Sequence, residues 1–278
     1  MKKLIVFSII VTSTLLIVSG CDNSTPPQNI IKYPANKGNQ WEYHTTWEIE
    51  YYDQHGKIDS TETLDMGNTI VKIASTNDFI PVSVSGMNNL IRFESFDSAT
   101  PNNVQIIWYS NSDSGFYEIA YLNAGSSKPI LPKYNTSAQL NLFLKELRAM
   151  MPSGLSSGND TVNDSLRFFN PPRKVLQYPL QIGSQWTSMI NPYKQVRSVN
   201  EKRILKVDAG TFDCYLVNSE GDFPFKNGKI VFNDYVNLNY GLLERYFSQD
   251  SMKIISEGGK ILGYFKYTTQ SELISKNF

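Results

Sequence analysis

The sequence predicts a mostly β protein, with antiparallel meander sheets that form two related half-barrel or barrel-like halves and one short helix. A nine-residue segment at 33–41 recurs at 178–186, with Tyr, Pro, Gly, Gln and Trp at identical spacing. Turn residues recur about every ten residues, and 13% of the residues are aromatic, which favours strands. No helical period long enough for a β-α-β unit lies between the strands, which argues against a parallel sheet.

Each copy of the nine-residue segment predicts a corner at which a strand begins. Proline fixes its own φ and favours extended geometry in the preceding Tyr, and the glycine then permits a turn. The Trp is the first large residue of the strand, so it is expected in the core, although a ligand platform made by Tyr and Trp stays open. The residues that define the two corners are Tyr33, Pro34, Gly38 and Trp41, and Tyr178, Pro179, Gly183 and Trp186.

The strand after the first corner alternates cleanly between apolar and polar side chains, which is typical of a sheet buried on one face. The predicted inward residues are Trp41, Tyr43, Trp47, Ile49 and Tyr51, and the predicted outward residues are Glu42, His44, Glu48 and Glu50.

The N-terminus has the pattern of a signal peptide, with Lys2 and Lys3 before an apolar run over 4–18. The residues Val18-Ser19-Gly20-Cys21 that follow resemble the lipobox of bacterial lipoproteins. The resemblance implies cleavage before Cys21, a diacylglyceryl group on its sulfur and acylation of its new amino group. Three acyl chains would anchor the protein to a membrane almost permanently. We expect the outer membrane or the periplasmic face of the inner membrane, and the leaflet stays open.

The chain divides into five predicted segments. Residues 1–20 are the lipoprotein signal peptide and 21–32 a polar tether; 33–135 are a first β-rich repeat and 178–278 a second. Between the repeats, 136–177 are predicted as a helix and a polar linker. The helix is favoured by a possible capping box at Thr136 and Gln139 and by an apolar stripe over 140–151 that ends at Pro152.

The second half carries a wider resemblance. Residues 207–217, Val-Asp-Ala-Gly-Thr-Phe-Asp-Cys-Tyr-Leu-Val, and the later Tyr240-Gly241-Leu242-Leu243 resemble the TapB-like group of exported, β-rich proteins of unknown function. The resemblance covers about 178–250 and implies structural motifs, with no catalytic residues to transfer. Within it, Phe212, Cys214 and Leu216 alternate inward, so Cys214 is interpreted as a small core residue.

Other patterns give little evidence for catalysis, metal binding or nucleic-acid binding. The 26 basic and 26 acidic side chains balance, so nothing favours nucleic acid. Residues 154–158 match Gly-x-Ser-x-Gly but lie in a Ser/Gly-rich loop rather than after a buried strand. His44 and His55 lack the partners of a metal site, and no phosphate or dinucleotide motif is present, so we expect no catalytic residue, metal or cofactor.

Asp followed by Ser or Thr and a small or apolar residue, or Thr, recurs in stretches predicted as turns or loops. The triplet resembles an O-glycosylation sequon of some Gram-negative lineages, although Asp-Ser is also ordinary turn chemistry. The candidate residues are Ser60, Ser98, Thr161, Ser165 and Ser251.

Three functions remain open from sequence. The first is a non-enzymatic binding or assembly module of the envelope, with a hydrophobic or glycan ligand. The second is a hydrolase of envelope polymers that uses carboxylates from several strands. The third is a structural protein without a ligand. An apolar interior cavity would favour the first, two facing carboxylates in a cleft the second, and a filled core the third.

Overall fold

A computed structural model describes residues 30–80, 89–122, 166–191, 193–221, 230–256 and 258–278. The signal peptide with Cys21, most of the tether, the predicted helix and the Ser/Gly-rich loop lie outside these residues. Within the described ranges the chain forms one antiparallel sheet and no helix. Hence none of the described segments is a helix with the length and hydropathy of a membrane span.

The sheet has 12 strands in nearly closed, barrel-like order. Consecutive strands pair with each other except β6 with β7, which are the two ends of the order, and β1 pairs with β12. The strands are β1 Gln40–Tyr52, β2 Ile58–Asp78, β3 Leu90–Asp97, β4 Gln105–Ser112, β5 Gly115–Leu122, β6 Arg167–Gln177, β7 Gln185–Met189, β8 Gln195–Val207, β9 Gly210–Gly221, β10 Ile230–Asn237, β11 Gly241–Ile255 and β12 Ile261–Asn277.

The first strand confirms the predicted alternation. In β1 every second side chain is buried, from Trp41, which is fully buried, to Tyr51. Trp47, Ile49 and Tyr51 belong to an aromatic-rich core cluster shared with β10, β11 and β12. Phe232, Phe247, Phe265 and Tyr267 complete the buried members of this cluster.

The sequence left open whether the two halves make one barrel or two. The structure shows one continuous sheet, because β1 and β12 pair from Gln40 opposite Asn277 to Tyr52 opposite Tyr264. The first and last strands of the chain are therefore central neighbours. The break in the sheet lies instead between two strands that are consecutive in sequence.

Turn-favouring residues predict turns at Gly67 and over 76–78. Both predictions are wrong, because these residues lie inside β2, which runs unbroken over Ile58–Asp78. Gly67 has φ 75°, and the register of β1 with β2 shifts opposite it, between His44 and Thr46. Gly67 therefore marks a β-bulge within the strand and not a turn.

Residues 167–177, which we expected at the end of the polar linker, form β6. Pro171 and Pro172 made a strand improbable, since proline cannot donate to a sheet ladder. Strand β6 lies at an edge of the sheet, where it pairs only with β5. The register of this pair shifts between Glu118 and Ala120 of β5. An edge strand tolerates the missing donors.

Candidate functional site

Side chains, not a backbone ladder, close the gap between β6 and β7. Trp186 Nε1 donates a hydrogen bond to the Lys174 carbonyl at 3.0 Å, and Arg197 Nη1 donates to the Val175 carbonyl at 2.8 Å. Both acceptors lie on β6, and the donors lie on β7 and β8. The tryptophan of the second corner therefore holds the two sheet edges together.

Behind this closure lies a layer of buried charge. Arg197 and Arg245 share the carboxylate of Asp234: Arg197 Nη2 bonds Oδ2, and Arg245 donates from Nε to Oδ1 at 2.7 Å and from Nη2 to Oδ2 at 3.1 Å. Arg173 lies 3.7 Å from Glu118 and donates to Gln195 Oε1 at 3.5 Å. The layer consists of Glu118, Arg173, Gln195, Arg197, Asp234 and Arg245, each at most 6% exposed.

Pairing keeps the central carboxyl of this layer ionised. Burial raises the pKa of Asp234, but the charges and hydrogen bonds of Arg245 and Arg197 outweigh burial and hold the pKa below its ordinary value. Burial lowers the pKa of Arg197, whereas at Arg245 the opposing effect of Asp234 is stronger and the pKa is raised. The positive charges of Arg245 and Arg173 also lower the pKa of Arg197.

A cavity of about 70 Å³ lies against this charged layer. Asp234 and Arg245 reach it, and its other walls are mainly aromatic and aliphatic. The Tyr109 ring stacks on Phe116 at 4.6 Å between centroids, and Tyr33 stacks on the same Phe116 at 4.8 Å. The cavity is lined by Tyr33, Tyr43, Val71, Phe93, Ile107, Tyr109, Phe116, Val175, Leu176, Asp234, Val236, Leu242 and Arg245.

The three tyrosines of the cavity stay neutral. Burial raises the pKa of Tyr33 to about 12 and raises the pKa of Tyr43 and of Tyr109 well above the ordinary value. Tyr43 donates its hydroxyl hydrogen to the Leu242 carbonyl at 2.9 Å, and the Leu242 amide donates to the Tyr33 oxygen at 3.3 Å. The site therefore offers phenols and guanidinium groups, and its ionised acid is already paired.

The two sequence corners adopt matching geometry. Gly38, with φ 94°, donates its amide hydrogen to Ile73 O at 3.0 Å, and Gly183, with φ 85°, donates to Val199 O at 2.8 Å. In return, the amides of Ile73 and Val199 each donate at 2.9 Å to the residue after the glycine. Both tryptophans are buried core residues at the start of β1 and β7.

The structure brings the two corner tyrosines together. The Tyr33 amide donates to the Tyr178 hydroxyl oxygen at 2.8 Å, and that hydroxyl donates to Asn111 Oδ1 at 3.0 Å. Trp41 Nε1 donates to the Tyr240 carbonyl at 2.6 Å. Of these residues Tyr33 lines the cavity, while Trp41 and Trp186 do not.

The remaining sequence candidates lie apart from the cavity. Cys214 is buried as predicted, and burial raises the pKa of its thiol to about 11. His44 Nδ1 lies 3.0 Å from Asn68 Oδ1, and the described ranges hold no cluster of three or more His, Cys, Asp or Glu suited to a metal.

The glycosylation candidates fall in different settings. Ser98 is exposed in a turn after β3, but Ser60 lies within β2 and Ser251 within β11, where loops were expected. Ser251 is exposed and has φ 57°, at a register shift between Gln249 and Met252. Thr161 and Ser165 are outside the described residues. Glycosylation of these residues stays a prediction.

Sequence reasoning missed the charged layer. A signal was present, because Arg197, Asp234 and Arg245 each occupy a position whose neighbours two residues away are inward-facing: Gln195 and Val199, Phe232 and Val236, Leu243 and Phe247. A charge at an inward position of an alternating strand indicates a buried ion pair or a site. The partners lie on separate strands, so no spacing pattern could connect them.

Two solved structures are similar to this chain. One is a Bacteroides fragilis protein described as exported and as having a YmcC-like fold; identity is 14%, coverage is 90% of this chain and 100% of that chain, and the TM-score is 0.39. The other is a Parabacteroides distasonis protein described as a lipoprotein, with 13% identity, coverage of 88% and 97%, and a TM-score of 0.28. Both TM-scores are too low to carry an argument.

No protein family matches the chain, and no curated protein matches it. The resemblance of residues 178–250 to the TapB-like group therefore gains no support from a family match.

Proposed function

We propose that this chain is a lipid-anchored lipoprotein of the cell envelope that acts as a non-enzymatic binding module. The lipobox-like residues 18–21 after a short apolar run support an anchor at Cys21. The observation that carries the binding role is the aromatic-walled cavity closed on one side by the Asp234–Arg245 ion pair. A pocket with apolar walls and a few polar groups at one place is the usual form of a ligand site.

The size of the cavity restricts the ligand. Its volume of about 70 Å³ is far below the roughly 300–1,000 Å³ of pockets that enclose a drug-sized molecule. It has room for roughly five water-sized groups. We infer that it takes a small group with an apolar body, and not a whole lipid or sugar chain.

We also infer that the chain consists of two related halves of six strands, β1–β6 and β7–β12. The support is the matched corner geometry at Gly38 and Gly183, each docked on the second strand of its own half. The two halves meet along β1 and β12 on one side and through Trp186 and Arg197 on the other.

The anchor is tested by fractionation of the source organism. We expect wild-type protein in the membrane pellet, released by detergent and not by high salt, and Cys21→Ser in the soluble fraction or unprocessed. Wild-type protein released by salt alone would show that no lipid anchor holds it.

Binding is tested by native mass spectrometry of mature protein purified from its own envelope, and of the same sample after denaturation. We expect a discrete mass that is lost on denaturation. Val236→Phe, which fills the cavity from its wall, should lack that mass, and the control Ile204→Phe, at a position 76% exposed, should keep it. Circular dichroism establishes that both variants fold. Equal native and denatured masses in wild type would refute the binding role.

A second candidate is the envelope-polymer hydrolase, favoured by one observation. Glu244 and Glu272 are register partners on β11 and β12, and burial together with the charge of Glu272 raises the pKa of Glu244 to about 7. A general acid needs such a pKa, whereas Asp234 is held ionised by two arginines. If the chain is such a hydrolase, the wild-type protein cleaves envelope polysaccharide and the Glu244→Gln variant does not. Failure of the wild-type protein to cleave it would exclude the hydrolase function.

A further inference from the structure

The predicted tether over 21–32 leads into the end of the sheet where β1 and β7 begin, which we name the corner end. The two corners contact each other there, because the Tyr33 amide donates to the Tyr178 hydroxyl oxygen at 2.8 Å. The β10–β11 turn lies at the same end, since Trp41 Nε1 donates to the Tyr240 carbonyl at 2.6 Å. Strand β12 also ends there, because its last residue is the register partner of the first residue of β1.

The length of the tether restricts which end of the sheet can face a membrane. Residues 21–32 span at most roughly 40 Å when fully extended. The 13 residues of β1 cover roughly the same distance between the corner end and the opposite end of the sheet. With the lipid of Cys21 in the bilayer, only a fully extended tether would allow the opposite end to touch the membrane. The anchor therefore keeps the corner end nearer to the bilayer.

The corner end carries an aromatic–lysine patch, which consists of Tyr240, Lys276 and Phe278. The rings of Tyr240 and Phe278 stack at 6.2 Å between centroids, and Phe278 makes a T-shaped contact with Trp41 at 5.4 Å. Lys276 Nζ lies 4.0 Å from the Tyr240 centroid and 5.3 Å from the Phe278 centroid. The ion pairs of the described residues do not include Lys276, and Phe278 is 52% exposed. The patch thus presents an apolar ring and a cation without a carboxylate partner.

The same end exposes two isoleucines and a second lysine. Ile31 precedes the first corner and is 59% exposed, and Ile182 lies in the second corner and is 61% exposed. Lys37 of the first corner is also exposed. Tyrosine and lysine have apolar bodies and polar tips, which suits the boundary between acyl chains and headgroups. Lysines near a membrane are attracted to anionic lipids.

We propose that the corner end lies on the lipid bilayer, with the aromatic–lysine patch against phospholipid headgroups. This inference rests on the proposed lipid anchor and adds the face of the protein that meets the membrane. Exposed apolar side chains alone would not select this end, because Ile58 and Leu262 at the opposite end are 57% and 42% exposed; the position of the tether selects it. The acyl chains hold the protein and the patch orients it, since even one whole acyl chain binds a membrane only marginally.

The test attaches a fluorescent thiol label to either end of the lipidated mature protein. Ile182→Cys places the label at the corner end, and Ile58→Cys, at a position of similar exposure, places it at the opposite end. The label reacts with the introduced cysteine, because the Cys21 sulfur carries the lipid and Cys214 is buried. The protein is reconstituted into vesicles of phosphatidylethanolamine and phosphatidylglycerol, in which a fraction of the headgroups carries a nitroxide quencher.

We expect at least roughly twofold quenching of the label at position 182 and little quenching at position 58, because the two ends lie roughly 40 Å apart along β1. Equal quenching at both positions, stronger quenching at position 58, or no quenching at either position overturns the proposal.

The role of the patch is tested by Lys276→Gln combined with Phe278→Ser. Removal of the cation and of the exposed ring should lower the quenching at position 182. The control combines Lys260→Gln with Leu262→Ser, an exposed lysine and an exposed apolar residue with the same spacing at the opposite end, and should leave the quenching unchanged. Circular dichroism establishes that both variants fold. Unchanged quenching in the patch variant contradicts the assignment of the patch to the membrane.

Flotation of the same vesicles separates this inference from the lipid anchor. If the protein floats with the vesicles and the two labels are quenched equally, the protein is anchored without a fixed orientation, and only this inference fails. If the wild-type protein does not float, no anchor holds it, and the inference fails together with the anchor.

Discussion

Asp234 is the residue on which the interior charges depend. It lies between Arg197 and Arg245, and all three side chains are almost completely buried. A buried charge that loses its partner is strongly destabilising, whereas an intact buried pair contributes little net stability. The carboxylate is therefore more important for what its removal would leave unpaired than for the strength of its own bonds.

Replacement of this carboxylate tests that dependence. Asp234→Asn should lower the free energy of unfolding by about 3–5 kcal/mol, since two buried guanidinium groups lose their counter-charge. The measurement is urea denaturation at neutral pH. Asp213→Asn, at a side chain 67% exposed, is the control and should change stability by less than about 0.5 kcal/mol. A loss below about 1 kcal/mol for Asp234→Asn would show that the arginines do not depend on this carboxylate for their counter-charge.

Glu244 makes the stability of the folded protein depend on pH. Its pKa is raised from 4.5 to about 7, first by burial and then by the charge of Glu272. The folded state thus binds the proton more tightly than the unfolded state, so the contribution of Glu244 to stability is fully present below pH 4.5 and is lost as the pH rises to 7. Glu244→Gln removes this loss.

We therefore expect Glu244→Gln to be more stable than wild type at pH 8, by an amount on the order of 1–2 kcal/mol because the group is partly screened by solvent. The difference should shrink towards pH 4.5. Thermal unfolding across this pH range measures it, with exposed Glu48→Gln on β1 as the control. A stability difference that does not change with pH would show that Glu244 titrates normally.

At the scale of elements, the repeated segment predicted a strand start with a buried Trp, and both tryptophans are buried at the start of a strand. The mostly β, antiparallel class and the alternation of β1 followed from local periodicity. The predicted short helix lies outside the described residues. A local sequence pattern can predict a strand start or an alternation of burial, because both depend on residues close together in the chain.

The glycines of these corners give a paired prediction. A Cβ added at Gly38 or Gly183 meets no atom within 4 Å, so only the positive φ opposes a side chain. Gly38→Ala and Gly183→Ala should each lower stability by about 1–2 kcal/mol, and Asn at either position should restore part of it. Chemical denaturation compares them with Gly258→Ala, where no positive φ is required. Unequal effects at Gly38 and Gly183 would argue against equivalent corners.

Two other features, strand β6 and the bulge at Gly67, could not be predicted because they depend on which strands pair, and the sequence does not show that pairing. Pro171 and Pro172 argued against a strand, and only the place of β6 at a sheet edge makes them tolerable. Gly67 looked like a turn because a bulge and a turn use the same residue. Glu118, Arg173, Arg197, Asp234 and Arg245 come from five strands, so their meeting follows from the topology and not from any spacing.

At the scale of the whole molecule, the first and last strands pair with each other. Pairing of β1 with β12 removes the edges that these terminal strands would expose, and the remaining gap between β6 and β7 is bridged by Trp186 and Arg197. Arg245 connects the two aromatic parts of the interior, because it lies over Phe232 of the core cluster and also lines the aromatic-walled cavity.

The most direct measurement is a high-resolution crystal structure of the mature protein purified from its own envelope. We expect connected, non-protein electron density in the cavity between Tyr109 and Arg245. A cavity closed by its own side chains, or one that contains only separate water molecules, would contradict the claim that this protein is a binding module.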